Sequence, residues 1–279
     1  MSVASPHMKL TSLKNEIASL GSVLVAFSGG VDSSFLLKVC LGVLGEAGGR
    51  VLAVTARSST YPSSELSEAI SLASSMGARH MVIDSEELEI KGFASNPPDR
   101  CYHCKSELFG KLSDIARKEG LAAILDGTNA DDLKDYRPGS KAAKELGVRS
   151  LLQENGLTKD EIRAFSRDLG LPTWGKPAFA CLASRFPYGV TITRDKLKMV
   201  ELAEKSIREL GFRQARVRHH GDVARIELEP GLIARAVEPI MAEKIQNALT
   251  KAGFSYVAVD ILGYRTGSMN ETLKPDDKA

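Results

Sequence analysis

The chain has 279 residues, with 43% hydrophobic and 26% charged side chains and a formal net charge of +2. That is room for one large domain or two ordinary ones, and the near balance of charge argues against nucleic acid as a partner. No apolar run approaches the roughly 20 residues of a membrane span. The opening MSVASPHMKL lacks the apolar core of a secretory signal, so a cytoplasmic location is the default expectation.

Strands and helices alternate through the first two-thirds. VLVAF (23–27) is predicted as a buried strand and Ser33 to Leu44 as a helix apolar enough to be largely buried. VLAVTA (51–56), HMVID (80–84) and AAILDG (122–127) read as further strands, and 63–77, 105–120 and 158–170 as helices. Thr158 and Glu161 form a capping box for the last helix, and Gly170 ends it. This alternation predicts a mainly parallel sheet covered on both faces.

The segment 171–189, LPTWGKPAFACLASRFPYG, carries three prolines and reads as a linker or active-site loop. Beyond it come a long amphipathic helix (192–210), two alternating strands (212–220 and 222–229), a helix (239–253) and a strand (256–262). That α-β-β-α-β order predicts a small second domain. The expected division is 1–178 and 187–279, with a disordered tail over 274–279.

SGGVDSS (28–34) sits directly between a buried strand and a buried helix. Gly29 and Gly30 let the backbone approach an anion closely. The helix N-terminus offers unpaired N–H groups and partial positive charge, and Ser28, Ser33 and Ser34 add hydroxyl donors. Asp32 would repel bare phosphate, which points to Mg²⁺ or to a helix cap. The loop is not the GxxxxGK[ST] type. LDGTNADD (125–132) follows another strand, so it is expected on the same sheet edge.

The chain has four cysteines. In a reducing compartment the CxxC of Cys101 and Cys104 reads as metal-binding or catalytic, not as a structural bridge. Cys40, in the apolar helix, reads as a small core residue.

SGGVDSS resembles the SGGxDS loop of the PP-loop ATP pyrophosphatases, which bind ATP, transfer AMP to a substrate oxygen and release pyrophosphate. Four further segments narrow the resemblance: RCYHCKSELF (100–109), ACLASRFPYG (180–189), RVRHHGDVARIE (216–227) and LGYRTGSMN (262–270). Together they resemble the LarE family, sulfur transferases that mature a nickel-pincer nucleotide cofactor. The resemblance implies a parallel-sheet α/β PP-loop domain (adenine nucleotide alpha hydrolase-like) and a smaller C-terminal α+β domain. It also implies a homo-oligomer and a small-molecule nucleotide substrate, pyridinium-3,5-biscarboxylic acid mononucleotide. ATP would adenylate a carboxylate of that substrate, and a sulfur nucleophile would displace AMP to give a thiocarboxylate.

The resemblance also assigns residues. Gly127, Thr128, Asn129, Asp131 and Asp132 become candidates to line the ATP site, with Asp131 or Asp132 able to hold Mg²⁺. Thr55, Ala56 and Arg57 could meet the adenine and a phosphate. Cys181 matches a cysteine that gives up its own sulfur, and Arg185 or Lys176 could lower its thiol pKa. Cys101, Cys104 and Cys181 could instead hold a [4Fe–4S] cluster with one open iron. A redox pair, a zinc site and bystander cysteines remain open, although His103, inside a tight CYHC turn, is a poor fourth zinc ligand.

Arg216 and Arg218 alternate on one strand face and suit a phosphomonoester; Glu227 or Glu204 would hold them. The plainer reading is a solvated charged face. His219 and His220 read as turn residues and Trp174 as packing, while Arg265, Ser268 and Asn270 fit either a site or a subunit contact. A tRNA thiolase, an amide-forming NAD synthetase-like ligase and a non-catalytic ATP sensor are the rival readings.

Overall fold

The computed structural model describes residues 5–134, 138–177, 180–265 and 267–273; the expected disordered tail lies outside them. Packing divides the chain into two units, Met1–Glu86 with Cys101–Phe179 and Glu87–Arg100 with Ala180–Ala279. The second unit thus includes a segment drawn from the middle of the first.

The first unit runs α1 (Pro6–Leu20), β1 (Ser22–Ala26), α2 (Val31–Glu46), β2 (Arg50–Arg57), α3 (Ser63–Ser75), β3 (Arg79–Asp84), α4 (Arg100–Glu119, its first residue belonging to the second unit), β4 (Ala123–Leu125), α5 (Gly139–Glu145), α6 (Leu151–Glu154) and α7 (Lys159–Asp168). Its four strands are all parallel, in the order β3-β2-β1-β4. The period of two sends Val23, Val25, Ala53 and Leu125 to one face, against Phe35, Leu36 and Ile162. It sends Leu24, Leu52, Val54 and Ile124 to the other, against Phe109 and Leu112. Both faces are covered, as alternation requires.

Helix α1 was not expected. Its apolar stripe is thin, but Leu13 and Ile17 are fully buried in the first of these cores. Ser5 caps it and Pro6 opens it, a start signal written in two residues. The capping box of Thr158 and Glu161 is present, and Gly170 follows at φ +68°.

The second unit contains α8 (Arg194–Glu209), β5 (Ala215–His220), β6 (Val223–Leu228), α9 (Ile233–Ala236), α10 (Pro239–Lys251) and β7 (Tyr256–Val259). Its sheet order is β5-β6-β7, with β5 antiparallel and β7 parallel to β6. Leu197, Val200, Ala203 and Ile207 give α8 its buried stripe.

Two expectations need correction. Cys101 and Cys104 do not sit in a loop or tight turn: α4 begins at Arg100, five residues before the expected start, and carries both on its first turns. The 3.6-residue period puts an i, i+3 pair on one helix face. His219 is no turn residue but the buried fifth residue of β5, its ring packed between Phe186 and Phe254 at centroid distances of 5.0 and 5.6 Å. Among the described residues no helix is long and apolar enough to cross a membrane.

Candidate functional site

In the first unit, SGGVDSS turns from β1 into α2. Gly29 has φ +66°, and a Cβ there would lie 2.9 Å from the Cβ of Ala69 on α3. Only glycine meets both demands without strain. The Ser28 and Ser33 hydroxyls bond at 3.0 Å, the Ser28 N–H donates to Ser33 Oγ at 3.2 Å, and Ser34 N–H donates to the Gly30 carbonyl at 3.0 Å. Tyr61 donates its phenol proton to the Ser28 carbonyl. Lys176 pairs with Glu65 and Glu68 at 2.7 and 2.8 Å and reaches the Gly29 carbonyl at 3.5 Å. Loop carbonyls are thus tied from behind.

Gly127 brings the strand-end loop onto this turn. A Cβ at 127 would sit 3.0 Å from the Ser33 nitrogen and 3.3 Å from its Cα. Asp126 organises the loop, accepting from Thr128 N–H, Thr128 Oγ1 and Ser150 Oγ at 3.2, 2.7 and 2.7 Å. Asn129, buried, accepts from Asp131 N–H at 2.9 Å and donates its own N–H to Asp132 Oδ2 at 3.0 Å. Asp32 Oδ2 pairs with Lys159 Nζ at 2.5 Å, and the Lys159 N–H donates to Asp131 Oδ2 at 2.9 Å. Asp32 Oδ1 is buried with no hydrogen-bond partner. An orphan carboxylate oxygen at a phosphate-type loop fits a Mg²⁺ ligand.

The remaining candidates of this unit spread along the same sheet edge. Thr55 is buried and donates to the Phe27 carbonyl at 2.7 Å. Arg57, the last residue of the same strand, is exposed and paired with Asp84 at 2.6 Å. Cys101 and Cys104 are half-buried on α4 and form no disulfide. Cys40 is fully buried, and burial pushes its thiol up to about 12, which makes it inert as a nucleophile. Lys159 was not singled out by sequence, although its place just after the capping-box threonine puts its N–H at a helix start. Trp174 is exposed, so it does not pack as expected.

In the second unit, Cys181 precedes a short 3₁₀ turn, Leu182–Arg185. Arg185 is fully buried; it donates to the Ala180 and Cys181 carbonyls at 2.6 and 3.1 Å and pairs with Glu204 at 2.8 Å. Within the turn it also donates to Ser184 Oγ at 2.9 Å. Arg218 pairs with Glu227 at 2.6 Å, and Ser268 Oγ bridges the two, 3.0 Å from each. Arg216 lies 5.3 Å from the Tyr264 ring centroid. Arg216 and Arg218 are both buried, so the solvated-face reading does not hold. Burial and the charge of Arg185 push the Arg216 guanidinium below its ordinary range, so an added anion beside it would be favourable. Burial pushes Glu204 up, but Arg185, Arg216 and the Val217 N–H more than offset this and hold it below the usual carboxylate range.

The NAD synthase family matches residues 8–101. The pyridinium-3,5-bisthiocarboxylic acid mononucleotide synthase of Lactiplantibacillus plantarum is 42% identical over 97% of this chain and 97% of its own. The chain belongs to the LarE family. Another relative, the uncharacterized protein slr1717 of Synechocystis sp., is 43% identical over 95% of this chain and 98% of its own. A glutamine-hydrolyzing GMP synthase of Chlamydia caviae is 24% identical over 64% of this chain and 36% of its own. The LarE likeness runs through both units, and the NAD synthase match ends at the first residues of α4.

Gly29→Ala should weaken ATP binding by about tenfold or more, since the left-handed backbone alone costs about 1–3 kcal/mol; calorimetric titration with ATP checks this. Glu204 has a depressed folded pKa, so its contribution is present above the unfolded value near 4.3 and is lost as pH falls through the folded one. Glu204→Gln should therefore destabilise the protein at neutral pH by about 3–5 kcal/mol, leaving a buried arginine unpaired, and should flatten the acid limb of stability in urea unfolding from neutral pH downward.

Proposed function

We propose that this protein is an ATP-dependent sulfur transferase acting on a pyridinium dicarboxylate mononucleotide. The observation that carries the reading is the near-full-length match to a named synthase, joined to a glycine-built anion loop at the start of α2. The reaction follows from the chemistry. An ionised carboxylate is a poor acyl donor, so its oxygen attacks the α-phosphorus of ATP and pyrophosphate leaves. The backbone of Gly29 and Gly30, the Ser33 N–H and the hydroxyls of Ser28, Ser33 and Ser34 hold phosphate oxygens. Gly127, Thr128, Asn129 and Asp131 close the opposite wall. Asp32 Oδ1 is the carboxylate oxygen that would hold Mg²⁺, whose role is to neutralise phosphate charge. Thr55 would meet the adenine and Arg57 a phosphate.

The sulfur then attacks the acyl carbon and AMP leaves. With Cys181 as donor, its thiolate forms a thioester and AMP leaves; loss of the Cα proton to a base with Cβ–S cleavage then expels the thiocarboxylate and leaves dehydroalanine in the chain. Arg185 positions that turn through its carbonyls. Arg216 and Arg218, the latter braced by Glu227, take the substrate phosphate. Cys101 and Cys104 share a helix face and suit two thiolate ligands of a [4Fe–4S] cluster, with Cys181 as the third. Such a cluster would supply an exchangeable sulfide, so that the protein need not consume itself. The reaction belongs in the cytoplasm, where thiols stay reduced. The NAD and GMP synthase matches fit a shared adenylation step with a different final nucleophile.

Cys181→Ser should keep substrate-dependent pyrophosphate release and lose thiocarboxylate formation. Wild-type protein purified anaerobically should carry iron and sulfide that Cys101→Ala lacks. Should it carry none after reconstitution, mass spectrometry should find turned-over chains lighter by H₂S. Full thiocarboxylate yield from Cys181→Ser would overturn the reading.

A further inference from the structure

Arg100 closes the Glu87–Arg100 segment of the second unit. It is only 4% exposed, yet no carboxylate pairs with it among the described residues. Its Nη1 donates to Asn96 Oδ1, its guanidinium lies 5.2 Å from the Tyr188 ring centroid, and its Nε is buried without a partner. Arg185 and Arg218, equally buried, each face a glutamate. A buried guanidinium is unfavourable unless an anion meets it.

The support around Arg100 is built with care. Asn96 is fully buried at φ +57°, a left-handed conformation that asparagine tolerates better than most residues. Its Nδ2 donates to the Phe186 and Pro187 carbonyls at 3.3 and 2.7 Å, and its own carbonyl accepts from Gly189 N–H at 2.9 Å. Ala94 adds a second tie, accepting from Ile192 N–H at 2.8 Å. The amide oxygen left over faces Arg100. An aspartate in that place would neutralise the arginine; a neutral amide orients it and leaves its charge unmet.

The site is joined to the arginine pair by one short turn. Tyr188 donates to Asn270 Oδ1 at 2.9 Å, and Asn270 shares the 3₁₀ turn Ser268–Thr272 with Ser268, which accepts from Arg218 at 3.0 Å. A ligand with two kinds of anionic group would find both arginine positions in one unit.

We infer that Arg100 is a carboxylate-recognition residue, binding a ring carboxylate of the substrate whose phosphate Arg216 and Arg218 hold. This rests on the substrate reading above. It gives the enzyme a way to select acid over amide, because a guanidinium forks onto a carboxylate and gains little from a carboxamide.

The test compares two probes that differ only at that group: nicotinate mononucleotide, a pyridinium ribonucleotide with a 3-carboxylate, and its carboxamide counterpart, nicotinamide mononucleotide. Binding is measured by calorimetry without ATP. Arg100→Met should weaken the carboxylate probe by about ten- to a hundredfold, the range for a charged hydrogen bond, and leave the amide probe unchanged. Asn96→Asp, which supplies the missing negative charge in place of the amide that also donates to the Phe186 and Pro187 carbonyls, should lose the same preference, with its fold checked by circular dichroism. Arg216→Ala should weaken both probes alike. Equal loss of both probes in Arg100→Met, with an unchanged preference in Asn96→Asp, would overturn the role of Arg100 alone. Failure of the wild type to bind either probe would overturn the substrate reading together with it.

Discussion

Just beyond β4 the backbone of Gly127 lies close against the start of α2: a Cβ there would come within 3.0 Å of the Ser33 nitrogen. That close approach sets the geometry of the proposed nucleotide site. It follows from the parallel sheet, in which adjacent strands both end at the same edge. The helix that starts there brings its free N–H groups to the edge, and the glycine loops let two backbones converge on one anion. Tyr61 and Lys176, on carbonyls at the back of the loop, orient the peptide planes that carry those N–H groups.

The second unit solves a different problem. It buries Arg100, Arg185, Arg216 and Arg218, four cations in a small α+β fold. Glu204 and Glu227 compensate part of that charge, and Ser268 and the carbonyls of the Cys181 turn take further donors. Arg100 has instead an amide oxygen and an aromatic ring beside it, and its Nε is buried without a partner.

Much of this was legible beforehand. The strand–loop–helix order around SGGVDSS is legible because buried apolar runs on both sides leave few alternatives, and the capping box at Thr158 marks the start of α7. Helix α1 was missed because only Leu13 and Ile17 are fully buried, too thin a stripe for periodicity to detect. The CYHC stretch was read as a turn because cysteine and histidine are weak helix formers; the strong helix that follows extends back through it. Arg100 and Asn96 were invisible for another reason. Their roles depend on a segment near residue 90 packing against one near 190, and no local pattern encodes that pairing.

Carboxylate adenylation is the central claim, and oxygen labelling tests it most directly. The protein is incubated with ATP and the pyridinium dicarboxylate nucleotide carrying ¹⁸O in its carboxylates, and the AMP released is weighed by mass spectrometry. Attack by the carboxylate on the α-phosphorus requires one labelled oxygen in each AMP formed with thiocarboxylate. Unlabelled AMP, or label in orthophosphate with ADP as the coproduct, would contradict it.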